Sequence, residues 1–293
     1  MNRHAALLLC PLLLSFFRNK LPGRHSQRKQ NDENNAEKYR ARVDEIIDAV
    51  AERGKYLLLD LHWSDLGLWN GKSGQHMMPD EHSLLFWQNA AARYRNHPNV
   101  LFGLYNEPHI DKKVDGEFGD PWHIWKFGGE LREKDTSYRA VGMQEMIDKV
   151  RSTGAKNIVV VGGLDWGYTL DGAVGENALH DPDGNGIILD SHVYPWKRLE
   201  WELDIGTLDR EFPILIGEFG HYGNDAKPVE GVQRLPSEEW MPRLLSWIEE
   251  HGYSFTAWEF HPKAGACLIK SVAGEPTEYH GVYVKEFLLG HNK

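Results

Sequence analysis

The chain has 293 residues, of which 41% are hydrophobic, and a net charge of −10. That length suits one large α/β barrel or two small domains. The acidic balance, with no Lys/Arg-dense patch to interrupt it, argues against nucleic acid and anionic membrane surfaces as partners. Two cysteines, Cys10 and Cys267, exclude a disulfide framework.

The first feature in chain order is an apolar run, Ala5 to Phe17, behind Arg3. It is too short to span a bilayer, which takes ~20 residues, and it matches the apolar part of an export signal. The expected location is therefore secreted or periplasmic. No small-x-small cleavage site follows; the next residues are Arg18, Asn19 and Lys20. A spurious N-terminus or a buried structural element thus stays open. Cys10 follows Leu9 and not Gly or Ala, against a lipoprotein signal. Residues Asn19 to Glu37 are polar and aperiodic, and read as a linker. Residues 1–35 are therefore expected to lie outside a barrel domain at 36–293.

From Ala36 the pattern is regular. Apolar spacing at Val43, Ile46, Ile47 and Val50 predicts a helix over Ala36 to Arg53, stopped by Gly54. Tyr56 to His62 is a continuous apolar strand. A helix near Glu81 to Arg95 and a strand at Val100 to Tyr105 come next. They are followed by a helix at Tyr138 to Ser152 and a strand at Asn157 to Val161. Ile187 to Tyr194, Pro213 to Ile216 and Tyr253 to Trp258 complete the strands. Helices are predicted near Leu199 to Arg210, Ser237 to His251 and Val282 to Leu289. Near-continuous apolar strands alternating with helices mean a parallel sheet covered on both faces. Six βα units can be recognised.

Unusual polar residues gather where strands end: His62, Asn106 and Glu107, Asp165 and Trp166, His192 and Tyr194, Glu218, Trp258 and Glu259. In a TIM (β/α)8-type barrel the carboxyl ends of the strands form the catalytic face. An open doubly wound sheet would gather ligands at one switch point and would rarely use every strand. The barrel is the expected fold class.

Two segments carry the chemistry. Val100 to Tyr105 runs into Asn106-Glu107-Pro108, and Pro213 to Ile216 runs into Gly217-Glu218-Phe219-Gly220. A carboxylate closing a buried strand is badly placed for packing and well placed for reaction. Two such glutamates are what glycoside hydrolysis requires, one to protonate the leaving oxygen and one to attack or to activate water. Eleven tryptophans, roughly two to three times average usage, suit stacking on sugar rings, although core packing would also use them. His192 and Tyr194 fall on one side of a strand at period two.

Other motifs carry less. Asp181 to Gly186 imitates the first half of a calcium loop, but His192 stands where the closing Glu is needed. Gly71-Lys72-Ser73 imitates a phosphate loop, but Leu66 replaces its first glycine. Among fifteen histidines no His-x-His or His-Glu-x-x-His occurs, which disfavours a metal-dependent hydrolase.

Tyr56 to His62, the Asn-Glu-Pro, the His-x-Tyr, the Gly-Glu-Phe-Gly and the strand ending in Trp258 occur in the order seen in glycoside hydrolase family 5. This is the cellulase family within the clan of retaining (β/α)8 glycosidases, and the resemblance covers about residues 36 to 290. It implies that Glu107 is the acid/base, Glu218 the nucleophile, and Asn106 a hydrogen-bonding partner of the sugar 2-hydroxyl. It matches His62, His192 and Tyr194 to the family's three site rings, and Trp258 to the floor of the subsite beside the nucleophile. Trp166 joins these as a candidate sugar contact. No cofactor or metal is implied. The expected partner is a β-linked glycan, with glucan first and mannan or a shorter glycoside as alternatives. Family members have two further βα units before the strand matched by Tyr56 to His62, the second ending in an Arg that holds the nucleophile. The stretch before Ala36 does not read as strands, and Arg18, Arg24 and Arg28 have no strand context. The barrel is therefore expected to be incomplete, with Tyr56 to His62 at an edge. That gap leaves an inactive carbohydrate-binding remnant as a rival, and oligomeric state is open.

Overall fold

A computed structural model describes residues 26–62, 75–110, 119–133, 136–223, 235–263 and 265–291. Six strands form one parallel sheet: β1 (Leu57–Asp60), β2 (Val100–Gly103), β5 (Val159–Gly162), β6 (Ile187–Val193), β7 (Ile214–Phe219) and β8 (Ser254–Phe255). They lie in that order, each hydrogen-bonded in parallel to the next. Sequential parallel strands joined by crossovers curl toward a barrel, and among the described residues six strands of one are present. Among the described residues β1 and β8 are the two edges of this curled sheet. The helices are α1 (Ser26–Glu52), α2 (Glu81–Tyr94), α3 (Pro121–Phe127), α4 (Met143–Ser152), α5 (Ser237–His251) and α6 (Gly281–His291). None of the described helices is long and apolar enough to cross a membrane.

Alternation along the strands explains their unbroken apolar runs. Leu57, Leu59, Val100, Phe102, Val159, Val161 and Ile216 enter one large core beneath the helices. Their neighbours Leu58, Leu101, Val160 and Leu215 form a second, small cluster on the other face. Side chains at i and i+1 point to opposite faces, so a strand buried on both needs hydrophobic residues at every position.

Three expectations are corrected. Helix α1 begins at Ser26, so the expected linker is helical from there and the boundary at residue 35 falls inside a helix. Gln27, Arg28, Lys29, Gln30 and Glu33 are good helix formers. Apolar periodicity starts only where the helix meets the core, at Tyr39, Val43, Ile46 and Ile47. The helix expected from Tyr138 begins instead at Met143. Ahead of it, β3 (Gly128–Glu133) and β4 (Thr136–Val141) make an antiparallel hairpin. Gly142 permits this, because a Cβ there would lie 2.2 Å from the Lys126 carbonyl oxygen. Tertiary packing of Leu131, Ala140 and Val141 outweighs local propensity. The helix expected over Leu199 to Arg210 is reduced to one turn at Trp201–Asp204 and a 3-10 turn at Gly206–Leu208. The apolar run Ala5 to Phe17 and Cys10 lie outside the described residues, as does the Gly71-Lys72-Ser73 segment.

Candidate active site

The carboxyl end of β2 is tied down before it delivers its glutamate. Trp87 of α2 donates from Nε1 to the Leu104 carbonyl at 2.8 Å, and the Tyr105 hydroxyl donates to the His76 carbonyl at 2.7 Å. The Asn106 N–H bonds the Leu61 carbonyl at 3.0 Å. Held this way, Glu107 adopts a left-handed backbone with φ 50°. Such a conformation costs a non-glycine residue ~1–2 kcal/mol, and strain of this kind clusters at working sites. Asp165 and Trp166, after β5, share the left-handed backbone, at φ 55° and 60°. The Trp166 and Gly167 N–H groups bond the Pro108 carbonyl at 3.1 and 3.3 Å. That link brings the loop after β5 against the Glu107 turn.

The second glutamate is positioned by an irregularity. Ser191 pairs with Ile216, but His192 pairs with Glu218, so Gly217 is the extra residue of a bulge. A bulge re-aims the side chains beyond it. Glu218 thus stands across from His192, 6% exposed, and accepts a hydrogen bond from the Tyr194 hydroxyl at 2.8 Å. His192 Nδ1 lies 3.1 Å from Glu107 Oε1 and 3.5 Å from Glu218 Oε2. One carboxylate oxygen from each glutamate and a ring nitrogen of His192 fall within 4.8 Å of one another. Oxygens this close fall short of the ~6.5–9.5 Å that inverting glycosidases keep between their two carboxyl groups. A pocket lies against these groups, lined among others by Asp60, Asn106, Glu107, Asp190, His192 and Glu218.

Burial drives the Glu218 carboxyl up to about 7, with the Glu107 charge adding to it against the pull of His192 and His62. For Glu107, burial also pushes upward, but the His192 hydrogen bond and charge win and hold it below the ordinary glutamate range. For His192, burial alone would favour the neutral ring; Glu218, Asp190 and Glu107 overcome it and raise it well above the usual histidine value. Carboxylates this close titrate as a unit, so the pair keeps one proton between the lower value and about pH 7.

The other candidates gather around this pair. His62, after β1, bonds Asp60 Oδ2 through Nδ1 at 2.9 Å and stacks on Trp258 with centroids 5.3 Å apart and planes 3° from parallel. Asn106 is buried beside Glu107. Trp166 is 47% exposed and lies flat on His109, with centroids 3.4 Å apart. Sequence reasoning missed Trp196, which stacks on Tyr194 at 4.6 Å, and Tyr222, which packs against both. The tryptophan count and the two-residue step from Tyr194 were the signal available for Trp196. It also missed Lys197, whose Nζ pairs with Asp165 Oδ1 at 3.0 Å. Among the described residues Glu107, His192 and Glu218 are the group whose donors could also grip a cation. The hydrogen bonds from Tyr194 and His192 already engage those oxygens.

The sequence profile of Cellulase (glycosyl hydrolase family 5) matches residues 16–264. The chain belongs to glycosyl hydrolase family 5. It is similar to an endoglucanase of Paenibacillus polymyxa, 24% identical over 253 residues, covering 76% of this chain and 58% of that protein. It is similar also to endoglucanase EG-II of Hypocrea jecorina, 26% identical over 163 residues, covering 53% of this chain and 33% of that one. The chain thus matches well under two thirds of the length of either relative. Among solved structures, a β-glucanase of Saccharophagus degradans in complex with cellotetraose superposes with a TM-score of 0.67 at 22% identity, over 87% of this chain and 73% of that one. The catalytic domain of a Thermobifida fusca endoglucanase gives 0.57 at 17% identity, over 89% and 77%. These likenesses establish the family's barrel as the fold of which the six-stranded sheet is part.

Proposed function

We propose that this family 5 chain is a retaining β-glycoside hydrolase acting on a β-linked polysaccharide, with a β-glucan as substrate. The observation that carries the reading is the spacing of Glu107 and Glu218, whose oxygens approach within 4.8 Å. That gap leaves no room for an activated water between carboxylate and sugar, so one glutamate must itself attack. Glu218, gripped by Tyr194, attacks the anomeric carbon while Glu107 protonates the departing oxygen. Glu107 then deprotonates the water that releases the sugar. Asn106 and His62 supply polar contacts to the ring, and Trp258 and Trp166 supply flat ones. The relatives named endoglucanase and the neighbour holding cellotetraose support glucan over mannan. The run Ala5 to Phe17 supports export. The test is release of reducing ends from carboxymethylcellulose, barley β-glucan and mannan by the purified chain. Binding to these polymers without any release would leave a carbohydrate-binding remnant in place of an enzyme.

Burial favours the shared proton on Glu218 while His192 keeps Glu107 ionised; the productive tautomer of this one-proton pair is the one in which the proton sits on Glu107. The pair loses that proton near pH 7, where the raised Glu218 value falls. Activity should therefore be highest below neutrality, and kcat/KM should drop about tenfold per unit above the limb. A profile still rising at pH 8 would contradict the assignment of charges. Trp258, stacked on His62 at the mouth of β8, should carry sugar binding. Trp258→Ala should weaken glycan affinity by ~1–3 kcal/mol, judged from the aromatic area removed from contact. Unchanged affinity with a lowered Tm would make Trp258 a packing residue only.

A further inference from the structure

Asp190 stands two residues before His192 on β6 and on the same face of the strand, while Ser191 between them turns away to bond the Tyr168 carbonyl at 2.6 Å. Asp190 is buried, and its carboxylate has no role in the chemistry described so far. It lies directly over the bulge residue: a Cβ on Gly217 would come within 2.1 Å of Asp190 Oδ1. Oδ2 is 3.4 Å from His192 Nε2, and Oδ1 has no hydrogen-bond partner. A buried carboxylate without full hydrogen bonding is costly, so a compensating interaction is expected, and among the described residues the His192 ring is in place to supply it.

The opposite edge of that ring faces the catalytic pair. Nδ1 is 3.1 Å from Glu107 Oε1 after β2 and 3.5 Å from Glu218 Oε2 on β7. The turn after β5 closes the ring's flank, with a Gly167 Cβ position 3.2 Å from His192 Cγ. The charges on that side, Asp165 and Lys197, pair with each other. His62 after β1 is engaged by Asp60. A carboxylate at Nε2 calls for a proton there, and the ionised member of the glutamate pair calls for one at Nδ1.

We propose that Asp190 is a positioning residue: seated over Gly217, its carboxylate holds His192 doubly protonated, so that Nδ1 is aimed as a donor at both Glu107 and Glu218. Asp190 acts through His192 and touches no substrate. Its consequence is to keep a positive charge between the two glutamates, which prevents mutual repulsion from forcing a second proton onto them. The Gly217 bulge serves two ends, bringing Glu218 opposite His192 and clearing the space that Asp190 fills. The catalytic consequence rests on the reading of Glu107 and Glu218 given above; the state of the ring does not.

The test is the titration of His192 by ring-nitrogen NMR, alongside the pH profile of kcat/KM, in the wild-type chain and in Asp190→Asn. In the wild type the ring should remain doubly protonated well above the ordinary histidine range. In Asp190→Asn its titration should fall by about 1–3 units, the effect of removing one close charge. The alkaline limb of kcat/KM should then move to higher pH, because the pair loses its stabilising cation. In a His192→Gln background, adding Asp190→Asn should leave the limb where it is. A wild-type ring titrating near the ordinary value overturns the proposal, and that measurement needs no variant to fold and no activity. An unmoved ring in a folded Asp190→Asn with lowered Tm overturns it also, making Asp190 structural. A chain without hydrolytic activity whose ring behaves as stated would sink the hydrolase reading alone.

Discussion

Glu218→Ala should lose turnover on polysaccharide by on the order of 10⁵-fold or more, the scale of a positioned nucleophile's effective concentration. Glu218 is buried on β7 opposite His192 and held by the Tyr194 hydroxyl at 2.8 Å. Its carboxylate therefore needs no reorientation to reach an anomeric carbon lodged above it. Truncation of this buried side chain leaves a hole large enough for a small anion. Azide should then restore turnover on a glycoside with an activated leaving group and give the product of inverted configuration, because a single displacement replaces two. Product analysis by NMR decides the point. Azide product of retained configuration would exchange the roles of the two glutamates.

Glu107→Gln should behave differently. Removing general-acid help costs about 10²–10⁴-fold, and only where the leaving group needs a proton. Hydrolysis of a glucan should fall by that amount, while the first step on a nitrophenyl glycoside should be nearly unaffected. Azide added to this variant should produce a glycosyl azide of retained configuration, since Glu218 still opens the reaction. Gln keeps the shape of the side chain, so the strained turn at φ 50° is not itself disturbed. Equal losses on both substrates, measured as kcat/KM, would remove Glu107 from the acid role.

The arrangement links fold to chemistry in a plain way. Parallel strands end side by side on one rim, and each carries functional residues at or shortly beyond its carboxyl end. Asp60 and His62 come from β1, Asn106 and Glu107 from β2, Asp165 and Trp166 from β5, His192 and Tyr194 from β6, Glu218 from β7, and Trp258 from beyond β8. Function-bearing groups thus converge although they are far apart in the chain. The hairpin β3–β4 supports this rim from outside: Glu133 bonds His76 at 2.7 Å and the Met77 N–H at 2.7 Å, close to the Tyr105 anchor.

Much of this was legible in the residues alone. Strands such as Val100 to Tyr105 and Pro213 to Ile216 could be read because both faces of a covered parallel sheet demand apolar side chains. A glutamate ending such a run stands out because burial without a partner is unfavourable. Periodicity likewise located α2 and α5, whose core contacts recur every three to four residues. What only the tertiary structure decided depends on partners distant in sequence. The hairpin at 128–141 exists because Gly142 lets the chain press against Lys126, and no local propensity encodes that. The early start of α1 was hidden because its first turns have no apolar periodicity to read. The left-handed Glu107, the bulge that sets Glu218 against His192, and the approach of Asp190 to both Gly217 and His192 each arise when neighbouring strands lock in register. Register is a property of pairs of strands, so a single strand's sequence cannot state it.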